Sequence, residues 1–225
     1  MSGYYDDKLA AERLRRVYEL ASPRVRRYLA AELEYVLGRL EPGDVALELG
    51  CGYGRVLGPL ATRARLAVGV DTSFASLALA REELAPYDKV RLVQADAARL
   101  GCRDNVFDVV ACVQNGISAF HVDPGGLMAE AVRVTKPGGR ALFSSYAEAF
   151  WEERLAWFEA QAAEGLLGEI DYARTGDGVI ACKDGFTATT FGPEAFRGLA
   201  ASLGVEARVE EVDGSSLFCE IVKPN

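Results

Sequence analysis

The chain lacks the sequence features of membrane, metal-binding and disulfide-rich proteins. It has no apolar run of about 18 residues that could span a bilayer and no segment resembling a signal peptide, so the sequence predicts a cytoplasmic protein without a membrane partner. Its 5 cysteines are scattered without C-x-x-C spacing, which argues against both a disulfide framework and a zinc site. We therefore expect no metal centre.

Positive charge is also scarce, with 25 Lys and Arg against 33 Asp and Glu and a net charge of −8. Because phosphate binding depends on basic side chains, this balance argues against nucleic acid as a partner. Arginines do cluster over residues 13–27, but Glu12, Glu19, Glu32 and Glu34 interleave with them or follow them, which predicts an exposed, ion-paired helix face. The 225 residues, 50% of them hydrophobic, are enough for one sizeable core, so we expect a single domain.

Residues 45–54, V-A-L-E-L-G-C-G-Y-G, are the most informative segment that is present. An apolar run that ends in an acid and then in alternate glycines predicts a buried strand followed by a turn. Gly50, Gly52 and Gly54 allow positive φ and let a ligand approach the bare backbone, while the next helix offers its unpaired N–H groups. The dinucleotide fingerprint G-x-G-x-x-G would need a glycine where this chain has Arg55.

Polar residues follow each of the next apolar runs. Residues 66–70 end at Asp71, about 20 residues after the first strand, where doubly wound folds place an acid on ribose hydroxyls. The alternative role of Asp71 as a helix cap is weaker, because Ser73 is better placed to cap residues 74–84. Residues 90–95 end at Asp96-Ala97, and residues 107–113 end at Gln114-Asn115. A turn over residues 135–140 then leads into a fifth strand at residues 141–145.

In this order, E-x-G-x-G-x-G, V-G-V-D, Q-A-D-A, F-D-V-V and V-x-K-P-G-G resemble the core of class I S-adenosylmethionine (SAM)-dependent methyltransferases over residues 41–146. The resemblance implies SAM as the cofactor, S-adenosylhomocysteine as its product, and a small-molecule acceptor. It implies that Asp71 binds the ribose, Asp96 the adenine amine, and Glu48 the methionine amine or a backbone N–H. The full set of cofactor-binding residues that we expect is Tyr5, Glu48, Gly50, Cys51, Gly52, Gly54, Asp71, Thr72, Asp96, Ala97, Gln114 and Asn115.

The expected fold is α/β, with a doubly wound, mostly parallel sheet, an antiparallel C-terminal hairpin, N-terminal helices and a helix–hairpin insertion. Residues 1–225 form a single methyltransferase domain in this interpretation. Its parts are an N-terminal helical lid at 1–40, a SAM-binding core at 41–146, a substrate-side insertion at 147–192, and a C-terminal helix and hairpin at 193–225. The aromatic residues of the insertion are expected to pack in a core rather than to form a cation-binding cage.

His121, the only histidine, follows the fourth strand at the edge where open α/β sheets bind ligands. Imidazole can exchange a proton near neutral pH, so His121 is the candidate general base, and a loop histidine bonded to backbone is the alternative. Methyl transfer otherwise needs mainly alignment and the exclusion of water. The methylated atom (N, O or S) and the oligomeric state stay open at this level.

Three other functions compete with this interpretation. A nicotinamide-dependent dehydrogenase could use Tyr4 and Lys8 as a Y-x-x-x-K pair, although the pair precedes the cofactor strands here instead of following them. A nucleic-acid or protein methyltransferase is the second, but many nucleic-acid enzymes carry N-P-P-Y where this chain has Q-N-G-I at residues 114–117. A SAM-binding module without catalysis is the third.

Overall fold

Seven strands form the central sheet of the computed structural model, which describes residue 4 and residues 8–225. The strands are β1 Val45–Leu49, β2 Leu66–Asp71, β3 Val90–Gln94, β4 Phe107–Cys112, β5 Thr135–Tyr146, β8 Ala207–Val212 and β9 Ser216–Val222. They lie in the order β3-β2-β1-β4-β5-β9-β8. A separate antiparallel pair, β6 Val179–Ala181 and β7 Thr187–Thr189, forms a small hairpin in the insertion.

The strand directions confirm the predicted topology. Strands β1 to β5 are parallel, β9 runs antiparallel to β5, and β8 runs antiparallel to β9. The chain leaves β1 toward β2 on one side, and β4 lies on the other side of β1. The loops after β1 and β4 therefore diverge at the carboxyl edge, which is where such sheets open a ligand crevice.

Some of the helices begin at a side-chain cap, and the predicted cap Ser73 is one of these. The helices are α1 Glu12–Glu19, α2 Pro23–Leu37, α3 Leu57–Arg63, α4 Phe74–Glu83, α5 Gly116–Ala119, α6 Pro124–Val134, α7 Trp151–Ala163 and α8 Pro193–Ser202, with a 3₁₀ turn at Glu148–Phe150. The Ser22 and Ser73 side chains accept from the N–H groups of Val25 and Ser76, both at 3.2 Å, and cap α2 and α4. Asp123 caps α6 in the same way, at 2.7 Å from the Gly126 nitrogen.

Alternation along the strands divides the core between the two faces of the sheet. Val45, Leu47 and Leu49 of β1 pack with α6 and α8, whereas Ala46 packs with α2, α3 and α4 on the opposite face. A third apolar cluster joins α1 and the start of α2 to α7 and the hairpin. The N-terminal segment and the insertion thus form one packed layer beyond the parallel sheet. Of the helices in residues 8–225, none is long and apolar enough to cross a membrane.

Two details differ from the sequence predictions. Strand β5 begins at Thr135 rather than at residue 141, because Thr135 already pairs with Phe107 of β4. The K-P-G-G segment then forms a bulge, and pairing resumes between Val109 and Arg140. Glu32 does not belong to the exposed helix face: it is 1% exposed and its carboxylate accepts from the Ser216 hydroxyl at 2.7 Å. Arginines of this segment do form ion pairs, for example Arg15 with Glu12 at 2.6 Å.

Candidate active site

A cavity of about 680 Å³ opens at the carboxyl ends of the parallel strands, between the core loops and the layer formed by the N-terminal segment and the insertion. The core side of its wall includes Glu48, Gly50, Cys51, Gly52, Arg55, Asp71, Thr72, Asp96, Ala97, Gln114, Phe120 and His121. The opposite side includes Tyr4, Leu9, Leu14, Val17, Tyr18, Tyr146, Trp157, Phe158, Gln161 and Phe186. Its size lies within the range of sites for cofactors and small molecules.

The glycine turn after β1 has the backbone conformation that the sequence predicts. Gly50, Gly52 and Gly54 have φ values of 70°, 53° and 89°, a region that favours glycine. Gly50 and Gly52 line the cavity, whereas a Cβ on Gly54 would meet the Leu84 side chain outside the cavity wall. Gly54 therefore serves close packing against the chain after α4. Cys51 is buried, and this burial raises the pKa of its thiol, which disfavours a reactive thiolate.

Asp71 orients the glycine turn as well as lining the cavity. One carboxylate oxygen accepts from the Gly52 nitrogen at 2.8 Å and the other from the Ser73 nitrogen at 2.8 Å. The cap of α4 is the Ser73 hydroxyl, as predicted. Asp96, at the end of the third strand run, accepts from the Ala98 nitrogen at 2.9 Å and also lines the cavity. Both predicted carboxylates thus reach the same cavity.

Beyond β4, the backbone makes two successive left-handed residues, Gln114 at φ 55° and Asn115 at φ 60°. The Gln114 nitrogen donates to Ser144 Oγ at 2.8 Å and to Glu32 Oε2 at 3.1 Å, which holds this strained conformation. The Gln114 side-chain oxygen accepts from the Tyr18 hydroxyl and so ties α1 to the edge of the sheet.

Asn115 has a different position from the one expected of a cofactor-binding residue. It is 2% exposed and, unlike Gln114, is not part of the cavity wall. Its amide oxygen accepts from Ser145 Oγ at 2.8 Å and its amide nitrogen donates to the Thr189 carbonyl at 3.1 Å. These bonds fasten β7 of the insertion to the core, so Asn115 positions the hairpin.

Two ionisable side chains of the cavity wall each have a buried polar atom without a hydrogen bond. Glu48 is 4% exposed and its Oε2 atom makes no hydrogen bond. Burial raises the pKa of its carboxyl to about 8, although the positive charge of Arg55 acts in the opposite direction. The Arg55 Nη2 atom is also buried without a hydrogen bond, and the guanidinium carbon lies 4.8 Å from the centre of the Tyr18 ring. Arg55 was not among the predicted cofactor-binding residues, and its only signal in the sequence was that it stands where the dinucleotide fingerprint has a glycine.

His121 is exposed at the mouth of the cavity, with a φ of 51°. Tyr5 lies outside the described residues. Tyr4 lines the cavity, but its hydroxyl donates to Asp184 Oδ2 at 2.8 Å, and burial followed by this bond raises its pKa. A dehydrogenase tyrosine that gives or takes a proton near neutral pH needs the opposite shift. Over the described part of the chain, no group of His, Cys, Asp and Glu could hold a metal ion.

The aromatic residues of the insertion surround a cation of the chain itself. Arg154 is 1% exposed, and its guanidinium carbon lies 4.2 Å from the centre of the Tyr146 ring and 5.6 Å from that of Phe158. Its nitrogens also donate to the carbonyls of Gly178 and Ala188, at 3.0 and 2.8 Å. These rings therefore pack around an internal ion, which agrees with the predicted structural role.

Comparison with known proteins agrees with this geometry. Residues 47–143 match a family described as a methyltransferase domain. The chain is 34% identical over 143 residues to a malonyl-[acyl-carrier protein] O-methyltransferase of Marinomonas sp., covering 58% of this chain and 52% of that protein. It is 35% identical over 104 residues to a demethylmenaquinone methyltransferase of Clavibacter sepedonicus, covering 46% and 42%. The matches thus span about half the length of these relatives.

Solved structures share the fold at lower identity. A SAM-dependent methyltransferase from Methanosarcina mazei superposes with a TM-score of 0.63 at 18% identity, covering 84% of this chain and 97% of that chain. The DhpI-SAM-HEP complex gives a TM-score of 0.61 at 21% identity, covering 93% and 92%. The predicted doubly wound fold is confirmed.

Proposed function

We propose that this chain, whose residues 47–143 form a class I SAM-dependent methyltransferase domain, transfers a methyl group from SAM to a small-molecule acceptor. The observation that carries this proposal is a pair of buried atoms of the cavity wall that make no hydrogen bond, Oε2 of the Glu48 carboxyl and Nη2 of the Arg55 guanidinium. Buried polar groups normally have partners, so these two indicate a ligand with a complementary cation and anion.

The residues that line the cavity offer a complementary group for each part of SAM. The methionine end carries an ammonium for Glu48 and a carboxylate for Arg55, which would satisfy both groups. The ribose hydroxyls would bind Asp71, with Thr72 beside it, and the adenine amine would bind Asp96 next to Ala97. Gly50 and Gly52 would let the cofactor lie against bare backbone.

SAM supplies a methyl group that its sulfonium already activates. The chain must then hold the acceptor in line and keep water out, and the contribution of such alignment is large. His121 at the mouth of the cavity is the candidate base for an acceptor that loses a proton from oxygen or sulfur. A neutral amine acceptor would not depend on that base.

The layer above the cavity supports separate roles for cofactor and acceptor. Leu14, Val17 and Tyr18 of α1 line the wall, so residues 1–40 are proposed as the lid over SAM. Residues 147–192 would form the acceptor side, and residues 41–146 the cofactor core. We propose a cytoplasmic location for this reaction, in keeping with the sequence prediction.

The alternative functions have less support. The net charge of −8 disfavours a broad nucleic-acid surface, and Tyr4 is bonded to Asp184 instead of being free for proton transfer. These observations favour a small molecule over nucleic acid and SAM over a nicotinamide.

Calorimetry and isotope transfer test the proposal together. S-adenosylhomocysteine should bind with a micromolar Kd, about −8 kcal/mol, and NADH should give no binding heat. Methyl-labelled SAM should then label a small-molecule extract but neither bulk tRNA nor bulk protein. Binding of NADH alone would favour the dehydrogenase, label in tRNA or protein would favour a macromolecular acceptor, and tight cofactor binding without any labelled product would indicate a non-catalytic module.

A further inference from the structure

The cavity wall contributed by the N-terminal segment and the insertion contains one buried residue with a side-chain amide, Gln161. Gln161 is 2% exposed and lines the cavity. Its amide can donate two hydrogen bonds and accept two. A buried amide in the wall of a cavity is suited to bind a ligand through hydrogen bonds.

Helical spacing places Gln161 beside two aromatic rings. Trp157 and Phe158 lie four and three residues earlier on α7, so all three share one face of the helix. Phe186 of the hairpin packs against Phe158, with ring centres 5.9 Å apart, and against Tyr4 at 4.9 Å. The wall around the amide is therefore built from aromatic surfaces.

The polar atoms of these aromatic residues are mostly used elsewhere. The Trp157 indole N–H donates to the Val17 carbonyl at 3.0 Å, and the Tyr4 hydroxyl donates to Asp184. Tyr146 keeps its proton, because burial raises its pKa to about 12. The wall thus offers ring faces and the Gln161 amide to a ligand.

Charge is confined to the other side of the cavity. In the part of the wall that the structure describes, the carboxylate, guanidinium and imidazole side chains are those of Glu48, Arg55, Asp71, Asp96 and His121. All five belong to the core strands or to the loops that follow them. Since an ion buried without a counter-charge is costly, the aromatic wall suits a neutral ligand.

We propose that Gln161 is the specificity-determining residue for the acceptor, and that the acceptor is a neutral, ring-bearing small molecule whose hydrogen-bonding group meets the Gln161 amide. The proposal rests on the methyl transfer proposed for this cavity. A flat apolar body would stack between Trp157, Phe158 and Phe186, while the amide would select its polar edge. A site built to hydrogen-bond a substrate discriminates strongly against analogues that lack the group.

The test uses the full chain and methyl-labelled SAM. A small-molecule extract is separated by ion exchange into neutral, anionic and cationic pools, and each pool is incubated with the wild-type protein. Label should enter ring-bearing compounds of the neutral pool. Gln161→Met preserves side-chain volume and removes the amide, so it should raise the KM for the isolated acceptor about tenfold or more, the effect expected for losing one hydrogen bond.

Two further variants test whether the effect is specific to position 161 and whether Gln161 donates or accepts the hydrogen bond. Glu152→Met introduces the same residue at an exposed position of α7 and should leave KM unchanged. The Kd of S-adenosylhomocysteine should be the same in both Met variants. Gln161→Glu keeps a side-chain oxygen that can accept a hydrogen bond but loses the amide N–H. The variant should therefore retain activity if a hydroxyl of the substrate donates to residue 161, and it should lose activity if the Gln161 N–H donates to the substrate.

The outcomes separate this inference from the proposed function. Label in the anionic or cationic pool, or an unchanged KM in Gln161→Met, would overturn the acceptor assignment while leaving methyl transfer intact. Binding of S-adenosylhomocysteine with no labelled product in any pool would overturn the transferase proposal itself and the acceptor assignment with it.

Discussion

Replacing Glu48 by glutamine should stabilise the fold and weaken the cofactor site. Burial raises the folded-state pKa of Glu48 from 4.5 to about 8, which means that the folded chain favours the neutral carboxylic acid. The protonated Glu48 therefore contributes fully to the free energy of unfolding below pH 4.5, and this contribution is lost as the pH rises through about 8. At pH 7 the ionisation penalty is about 3 kcal/mol, as an upper limit.

Gln cannot ionise, but it leaves a buried amide in place of the acid, which offsets part of the gain. The net stabilisation at pH 7 should be about 1–2 kcal/mol, or about 2–6 °C in Tm, and it should disappear near pH 5. Thermal unfolding of Glu48→Gln and wild type at pH 5, 7 and 8 measures this. Glu206→Gln, which changes an exposed acid, should show no such pH dependence.

The same variant should bind S-adenosylhomocysteine about 10- to 150-fold more weakly, the range for losing a hydrogen bond to a charged group. Since an ammonium next to Glu48 favours its ionised form, wild-type binding at pH 7 should release up to about one proton, and binding to Glu48→Gln should not. Calorimetry in phosphate and in Tris detects this release. Equal affinity, equal Tm and buffer-independent heats in the two proteins would refute the assignment of Glu48 to the methionine amine.

Three further substitutions test the remaining cofactor and catalytic assignments. Asp71→Ala should weaken S-adenosylhomocysteine binding by about 1.5–3 kcal/mol by calorimetry, and unchanged affinity would remove the ribose assignment. Gly52→Ala should lower the free energy of unfolding by about 1–2 kcal/mol, because Gly52 has a φ of 53°. The added Cβ would lie 2.8 Å from Leu14 Cδ2 in the cavity wall, so cofactor affinity should fall more than tenfold. A wild-type Kd would contradict this expectation. His121→Ala should leave Tm and cofactor Kd unchanged and reduce turnover about 10²- to 10⁴-fold, whereas full turnover would show that alignment suffices.

The core was predictable because its signals are local. The apolar run of β1 and the glycines that follow it occur within one short segment, and the predicted cap Ser73 lies next to the helix that it starts. Asp71 and Asp96 were both assigned to the cofactor through the family resemblance, and they line one cavity because parallel strands bring their carboxyl ends to the same edge.

Residues whose role depends on distant partners were not predictable in this way. Glu32 looked like one more acid on a charged helix, yet Ser216 accommodates it in the core, 184 positions away in the sequence. Asn115 was predicted to bind the cofactor because it follows β4, but its amide makes hydrogen bonds with Ser145 and Thr189 instead of lining the cavity.

The sequence by itself determined the positions of the core strands, the glycine turn and the acids at the strand ends, because each follows from periodicity or from residues close together in the chain. Only the tertiary structure decided which polar side chains line the cavity. Arg55 and Gln161 belong to a core loop and to the insertion helix, respectively. Whether such side chains reach the cavity depends on packing between segments that are remote in sequence, and local sequence patterns do not encode that packing.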